Sequence, residues 1–249
     1  GSLNNVILRL LANSPPGRAS LTVFDPVGLG QSFAGIMHLA DYGEHLINSK
    51  IWTQSGQIEQ RLTELNEHIE KVIQMYLRNE YETIVDYNRE AGNIAEKYHF
   101  LVIADFPVNF TPTAANRLMS IVATGAKCGV FTLIHWDRRQ PKLDDNIIEE
   151  LRANSICVNN MEMSFALKNK MITGARLRLD PAPSPEFAMD LIHKVGKQSV
   201  DSNRIEVPFK QVAPTDEQLW SRDTTNELVV PVGRTGATKL QNLSIGKGT

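Results

Sequence analysis

The chain has 249 residues, of which 42% are hydrophobic and 22% charged, and these are ordinary values for a globular protein. This length allows one large domain, or one domain with appendages, with ample material for a core. A net charge of −2 gives no global basic signature, so composition does not favour nucleic-acid binding by this chain alone. We expect neither a signal peptide nor a membrane-spanning segment, because no apolar run approaches the roughly 18 residues that cross a bilayer.

The first elements in the chain are a predicted helix and a short strand. Residues 3–13 carry apolar side chains at helical spacing, and Ser14-Pro15-Pro16-Gly17 ends the helix. The apolar positions are Leu3, Val6, Ile7, Leu10 and Leu11. A buried strand over residues 21–24 then closes on Asp25, and glycines follow at positions 28, 30 and 35. No Lys-Ser/Thr pair follows these glycines, so we interpret them as an ordinary strand-to-helix loop and not as a phosphate-binding loop.

The clearest periodic pattern covers residues 57–80. Its apolar stripe predicts a helix packed on the sheet or on a neighbouring helix. The stripe comprises Ile58, Leu62, Leu65, Ile69, Val72 and Tyr76. His68 lies beside the stripe, and we expect it at the surface or at an edge. A shorter helix is predicted over residues 81–95, with Gly92-Asn93 as its stop.

The segment YHFLVIADF, residues 98–106, predicts the central strand. A continuous apolar run with β-branched residues is typical of a strand buried on both faces in a parallel sheet. Asp105 follows the run directly, at the sheet edge where open α/β folds bind ligands. P-loop NTPases hold Mg²⁺ through an acid at this position. Asp25 ends another strand, so paired acids for acid–base chemistry are one further hypothesis.

The pattern continues with a helix from about residue 113, with Thr111 or Thr113 as its N-cap. Strands are predicted at residues 128–134, directly before His135, and at 155–159, with a short acidic helix at 144–153 between them. Strands that alternate with helices predict an α/β fold with a doubly wound parallel sheet and helices on both faces. Cys128 and Cys157 lie in strand-like runs and are interpreted as buried free thiols.

The C-terminal third differs from the rest of the chain in composition and in hydrophobic periodicity. A proline-rich stretch precedes one helix, and residues 200–226 show little periodicity, which is typical of a linker or strap. Phe209 and Trp220 are the large aromatics of this polar segment. An aromatic such as Trp220 often anchors in a partner's pocket; covering the domain's own core is the equally weighted alternative. Two strand-like pieces around a glycine turn finish the chain. We divide the chain into residues 3–179, 180–227 and 228–249.

The sequence lacks the parts of a nucleotide-hydrolysing site. A P-loop requires Gly, four residues, then Gly-Lys-Ser/Thr, and neither the segment 233–239 nor Gly246-Lys247 fits. Phe106 stands where a water-activating Glu is expected after Asp105. Six histidines show no metal-binding spacing. We therefore predict no catalytic residues, no metal site and no cofactor bound by this chain alone.

The order of the motifs resembles the motor domain of FtsK/SpoIIIE DNA translocases, above all tandem members such as the type VII secretion ATPases. The matching segments are LNNVILRLL, LTVFDP, YHFLVIADF, GAKCGVFTLIHWDRR and IIEELRANSICVNN, within residues 3–179. The resemblance implies a RecA-like P-loop NTPase-type fold, with Asp105 as the Walker B aspartate and His135 near a sensor position. It implies ATP and Mg²⁺ in the parent protein, a ring of copies, and DNA or protein as substrate, in cell division or secretion. It also implies an extended connector into a following ATPase domain that starts near residue 228.

Three functional hypotheses remain open. The first is a non-hydrolysing ATPase-like domain that serves assembly, regulation of the adjacent motor or substrate recruitment. The second is an active DNA-translocase domain whose Walker A loop lies upstream of Leu3; the opening Gly1-Ser2 is typical of a residual tag, so we expect the native chain to extend upstream. The third is a protein-binding module without a motor role. We expect a cytoplasmic location, within a parent protein that can be membrane-associated.

Overall fold

The computed structural model describes residues 2–140, 144–161, 164–168, 176–202, 209, 212–219, 221, 223–235 and 239–246. The α-helices in these ranges are α1 (Ser2–Asn13), α2 (Ser55–Lys71), α3 (Ile84–Ala91), α4 (Pro112–Thr124), α5 (Asp145–Ala153) and α6 (Pro185–Ser202). The strands are β1 (Ala19–Phe24), β2 (Ile51–Trp52), β3 (Tyr98–Phe106), β4 (Val130–Trp136), β5 (Cys157–Met161), β6 (Ser164–Lys168), β7 (Arg176–Leu177), β8 (Glu227–Thr235) and β9 (Lys239–Gly246).

The central sheet has four parallel strands in the order β2-β1-β3-β4. Strand β3 pairs with β1 from Tyr98 to Ile103 and with β4 from His99 onward. Its residues 100–104 are all buried, which confirms the prediction of a strand covered on both faces. Strand β2 was not predicted, because a two-residue, half-buried strand is too short to produce a sequence pattern.

Two hydrophobic clusters lie on opposite faces of this sheet, so helices cover both faces as predicted. Leu101 and Ile103 of β3 belong to one cluster, with residues of α2, α3, α4 and α5. Phe100 and Val102 belong to the other, with residues of α1, α6 and the 3-10 helical segment Gln31–Leu39. This alternation along one strand follows from the two-residue period of side chains in a β-strand.

The helices lie close to their predicted positions, with corrections in detail. In α1, Leu8 is buried while Val6 is 38% exposed, so Leu8 replaces Val6 on the packed face. The long helix runs as an α-helix to Lys71 and continues as a π-helical segment, Val72–Leu77. His68 is half-buried against His99, which agrees with an edge position and not with a fully exposed one. The N-cap of α4 is Thr111, whose hydroxyl accepts a hydrogen bond from the Ala114 amide.

The strand expected at residues 155–159 does not join the parallel sheet. Strand β5 pairs antiparallel with β6, and β6 pairs antiparallel with β7, in a separate three-stranded sheet. Its sequence CVNNM carries two asparagines and Val158 is 48% exposed. A half-exposed strand of this kind suits an antiparallel sheet with one face to solvent better than the buried interior of a parallel sheet.

The C-terminal third contains α6, a short 3-10 helical segment at Asp216–Gln218, and the antiparallel pair of β8 and β9. Helix α6 packs on α1 and on the segment Gln31–Leu39, and it continues to Ser202, slightly into the stretch interpreted as a linker. The proposed boundaries at residues 179 and 227 stay predictions. Among the helices described here, none combines the length and apolarity that a bilayer crossing requires.

Candidate functional site

Two predicted site residues lie at the carboxyl ends of neighbouring strands. Asp25 directly follows β1, and Asp105 lies near the end of β3, so both belong to the same edge of the sheet. Their environments differ, because Asp25 is completely buried whereas the Asp105 side chain is 25% exposed. This difference in burial separates their possible roles.

The Asp25 carboxylate is occupied by the loop that follows it. Its two oxygens accept hydrogen bonds from the amides of Gly28 (3.0 Å), Gly30 (3.0 Å) and Ser32 (3.3 Å). A Cβ atom on Gly28 would lie 2.5 Å from a carboxylate oxygen of Asp25, so only glycine allows the loop to approach so closely. Gly30 has a φ of 90°, which also favours glycine. Asp25 therefore organises this loop, and the interpretation of the glycine-rich stretch as a strand-to-helix loop fits these contacts.

Asp105 and His135 are brought together, as their positions in neighbouring strands allow. The Nδ1 atom of His135 lies 3.2 Å from Oδ1 of Asp105 and 3.4 Å from the Asp105 amide nitrogen. With a proton on Nδ1 the imidazole donates to the carboxylate; without it, Nδ1 accepts from the amide. The backbone is irregular here, with a register shift between Ile103 and Phe106 and a φ of 51° at Asp105.

Phe106, the residue after Asp105, is part of the hydrophobic core. Its side chain is fully buried. The ring packs edge-on against Phe110 at 4.9 Å and against Trp136 at 5.9 Å between ring centroids. The position where a hydrolytic ATPase places a water-activating carboxylate is thus filled by an aromatic ring that faces the protein interior.

Asp137 and Arg139, directly beyond β4, form an ion pair that was not predicted from the sequence. Nε of Arg139 donates to Oδ1 of Asp137 at 2.8 Å, and Nη2 donates to Oδ2 at 3.0 Å. These hydrogen bonds hold the pKa of Asp137 well below its usual range. The run Asp137-Arg138-Arg139 directly after a predicted strand was the available signal in the sequence. Here the Arg139 guanidinium is already engaged by a carboxylate.

These residues do not fit the Mg²⁺–ATP site of a P-loop enzyme. In the part of the chain that the structure describes, three amides of the glycine-rich loop donate to Asp25, so these three amides are not available to a phosphate. Asp25 is also unsuitable as half of an acid–base pair, since three amide donors hold its carboxylate. Asp105 remains the accessible strand-end carboxylate. Trp220 lies outside the described residues.

Both cysteines are free thiols, but their environments differ. Cys128 is buried as predicted, and burial raises the pKa of its thiol. Cys157 is half-buried, so the prediction of burial is only partly met there.

Comparison with solved structures identifies the fold. The cytoplasmic domain of the Thermomonospora curvata type VII secretion ATPase EccC matches 98% of this chain at 14% identity, with a TM-score of 0.57. ATPases 2 and 3 of EssC from Geobacillus thermodenitrificans match 98% at 12% identity, with a TM-score of 0.55. ATPases 2 and 3 of T. curvata EccC in complex with a signal sequence peptide match 98% at 14% identity, with a TM-score of 0.50.

The chain spans 34%, 50% and 48% of these three structures, respectively. At identities this low the likeness shows the fold, which is that of a RecA-like ATPase domain with a parallel sheet between helices. No protein-family model matches the sequence. No curated protein matches it either.

Proposed function

We propose that this chain is a non-hydrolysing ATPase-like domain of a tandem FtsK/SpoIIIE-type protein of the type VII secretion class. The observation that carries the proposal is the burial of Phe106 directly after Asp105. A hydrolytic site needs a carboxylate there to position the attacking water. An aromatic ring packed on Phe110 and Trp136 cannot take that role without dismantling part of the core.

The glycine-rich loop after β1 does not take the place of a P-loop. In P-loop enzymes, backbone amides and a lysine bind the phosphates and supply most of the electrostatic stabilisation. Here Asp25 holds three loop amides, and a carboxylate among those amides repels a phosphate. The domain therefore acts through contacts: it assembles with the adjacent ATPase domain and with other copies in a ring, regulates that neighbour, or recruits substrate.

Nucleotide binding and turnover test the proposal directly. The protein is titrated with ATP and Mg²⁺ in a calorimeter, and phosphate release is followed at the same concentrations. We expect neither heat of binding nor turnover above a blank. The proposal fails if the chain binds ATP and releases phosphate and if Asp105→Asn abolishes both. Asp41→Asn is the matched control, because Asp41 is an exposed acid outside the strand ends.

A second candidate function is an active domain that gains a Walker A strand and loop from elsewhere in its parent protein. The observation in its favour is the free edge of β4, which pairs only with β3 among the described strands. Phe131 on this strand is 36% exposed, and a parallel sheet normally covers such an edge. Reading the sequence that flanks this chain in its parent and assaying the longer protein for ATP hydrolysis separates the two candidates. If the second candidate is correct, ATP and Mg²⁺ bind at the site that the Walker A loop completes.

A protein substrate is favoured over DNA. One of the structural neighbours, T. curvata EccC, was solved with a signal sequence peptide bound, and the net charge of −2 offers little attraction to a phosphate backbone. Recruitment of a peptide on the cytoplasmic side of a secretion machine is therefore the form of substrate contact we propose.

The third hypothesis, a binding module anchored through Trp220, is tested by Trp220→Ala: loss of docking to the next domain with an unchanged Tm supports it.

A further inference from the structure

A cluster of three metal-ligand side chains lies at the opposite end of the sheet from Asp105. His68 comes from the last turn of α2, Glu96 from the loop before β3, and His99 from the start of β3. One ligand atom of each side chain lies within 4.8 Å of the other two. His99 and Asp105 are six residues apart on one strand, or about 20 Å, so this cluster is independent of the strand-end acids.

The His68 side chain supplies a second observation that points to a ligand. Its Nε2 atom is shielded from solvent and has no hydrogen-bond partner among the described residues. A buried imidazole nitrogen without a partner is costly, and a bound cation removes that cost. The His68 and His99 rings pack 4.4 Å apart between centroids, so the two imidazoles are held in mutual proximity by the fold.

Neighbouring groups hold Glu96 in place. The Asn88 side chain accepts from the Glu96 amide at 2.7 Å and donates to the Glu96 carbonyl at 3.0 Å. The Lys97 amide donates to the Glu96 carboxylate at 3.1 Å, and the Tyr76 hydroxyl of the π-helical segment after α2 has its pKa raised by burial and by the nearby Glu96. Supporting contacts of this kind orient metal ligands in proteins, and π-helical turns are frequent at functional sites.

We propose that His68, Glu96 and His99 form a binding site for Zn²⁺ or a similar imidazole-binding divalent ion. Two histidines and one glutamate are a known zinc ligand set that leaves the fourth position for water or another ligand. Metal–ligand bonds of about 2.0–2.2 Å in a tetrahedron place the ligand atoms roughly 3.3–3.6 Å apart. Side-chain movements of about 1 Å therefore close the cluster around an ion.

The chemistry of the ligand atoms selects the kind of ion. Mg²⁺ and Ca²⁺ require several oxygen ligands, which this cluster does not offer. Zn²⁺, Co²⁺, Ni²⁺ and Cu²⁺ bind imidazole well. A bound ion would join the end of α2 to the start of the central strand.

Titration of the metal-free protein with Zn²⁺ tests the site. The protein is prepared without a histidine tag and is first treated with EDTA. Zn²⁺ binding is then measured by calorimetry and by the shift in Tm. We expect saturable binding of one ion per chain. At a Zn²⁺ concentration of 100 times Kd, the Tm should rise by about 5–10 °C. Mg²⁺ at the same concentration should produce no shift.

Point variants locate the site. His99→Gln and His68→Gln should each weaken Zn²⁺ binding by at least about 30-fold, and Glu96→Gln by about 10–100-fold. His38→Gln is the control, because His38 contacts Asp41 away from the cluster and should leave Kd unchanged. The nearly isosteric Glu96→Gln keeps the test valid if a histidine variant does not fold. An absence of saturable binding, or equal binding by the control and all three cluster variants, overturns the proposal.

Discussion

The two ends of strand β3 differ in how their polar groups are used. At the carboxyl end, the Asp25 carboxylate is held by three amides, Asp105 is paired with His135, and Phe106 is buried in the core. At the amino end, His68, Glu96 and His99 converge, and one buried imidazole nitrogen has no partner among the described atoms.

This difference shows why a familiar position and a functional site need not coincide. RecA-like ATPases bind nucleotide at the carboxyl edge of the sheet, the edge where this chain places Asp25 and Asp105. In this chain the protein satisfies those groups internally, mostly with its own backbone. The unsatisfied Nε2 atom of His68, which an external ion can bind, lies at the opposite edge.

Phe106→Ala should cause the largest loss of stability at the carboxyl end. Removing a fully buried phenyl ring leaves a cavity beside Phe110 and Trp136 and costs about 3–5 kcal/mol. Urea unfolding monitored by circular dichroism measures the change. Phe187→Ala, at a ring that is 61% exposed in α6, is the control and should change stability by roughly 0.5 kcal/mol or less. Equal effects in the two variants would contradict a core role for Phe106.

Asp25→Ala is expected to have the next largest effect. It leaves the amides of Gly28, Gly30 and Ser32 without their acceptor. Unsatisfied buried donors cost about 1–3 kcal/mol each, and entry of water into the loop offsets part of this, so we expect a net loss of about 2–4 kcal/mol. Chemical denaturation of Asp25→Ala and Asp25→Asn provides the measurement. The Asn variant keeps one acceptor oxygen and should lose less.

Asp41→Ala is the control for Asp25, because the Asp41 carboxylate is 68% exposed and pairs with His38 at the surface. Its removal should cost about 0–1 kcal/mol. A stability for Asp25→Ala equal to that of Asp41→Ala would show that the loop does not need the carboxylate. Asp25 would then again be available for chemistry at this edge.

The sequence predicted the fold better than it predicted the sites. Apolar periodicity located the helices and the central strand, and the Thr111 N-cap follows from local chemistry. Strand β2 was not predicted, because a strand of two residues is too short to show a hydrophobic period. The strand near Cys157 was placed in the wrong sheet, because strand pairing depends on partners elsewhere in the chain.

The sites depend on distances that a linear sequence does not contain. His68 lies 28 positions before Glu96, so no spacing rule joins them, although Glu96 and His99 at a separation of three were a partial signal. The loop-capping role of Asp25 could have been predicted from the sequence. An acid at a strand end, followed by glycines at positions 28 and 30, is typical of a side chain that caps its own loop. The burial of Phe106 could not be predicted from the two-residue alternation along β3, because the register shift between Ile103 and Phe106 interrupts that alternation.

Tyr76→Phe should weaken Zn²⁺ binding at the amino end of β3. The substitution removes the hydroxyl whose pKa is raised by burial and by the nearby Glu96, and it leaves the ring in place. If the cluster binds Zn²⁺ as proposed, the affinity should fall about 10-fold, which equals about 1.4 kcal/mol. Calorimetric titration measures this change. Tyr81→Phe, which removes a hydroxyl bonded to Glu90 away from the cluster, should leave the affinity unchanged.

Asp105→Asn should have the smallest effect on stability, and this contrast with Asp25 is informative. Both acids end neighbouring strands, but the Asp105 side chain is 25% exposed and its partner His135 is 55% exposed. An exposed pair of this kind contributes about 0–1 kcal/mol. Asparagine also tolerates the φ of 51° at this position as well as aspartate does, so the backbone adds no further cost.

Urea unfolding of Asp105→Asn beside Asp25→Asn distinguishes the two acids in one experiment. We expect a loss of about 0.5 kcal/mol or less for Asp105→Asn and a clearly larger loss for Asp25→Asn. A loss above roughly 2 kcal/mol at Asp105 would make it a structural acid like Asp25. A negligible loss means that folding does not require its carboxylate. Asp105 would then have no structural role, which is the condition for a ligand role in the second candidate function.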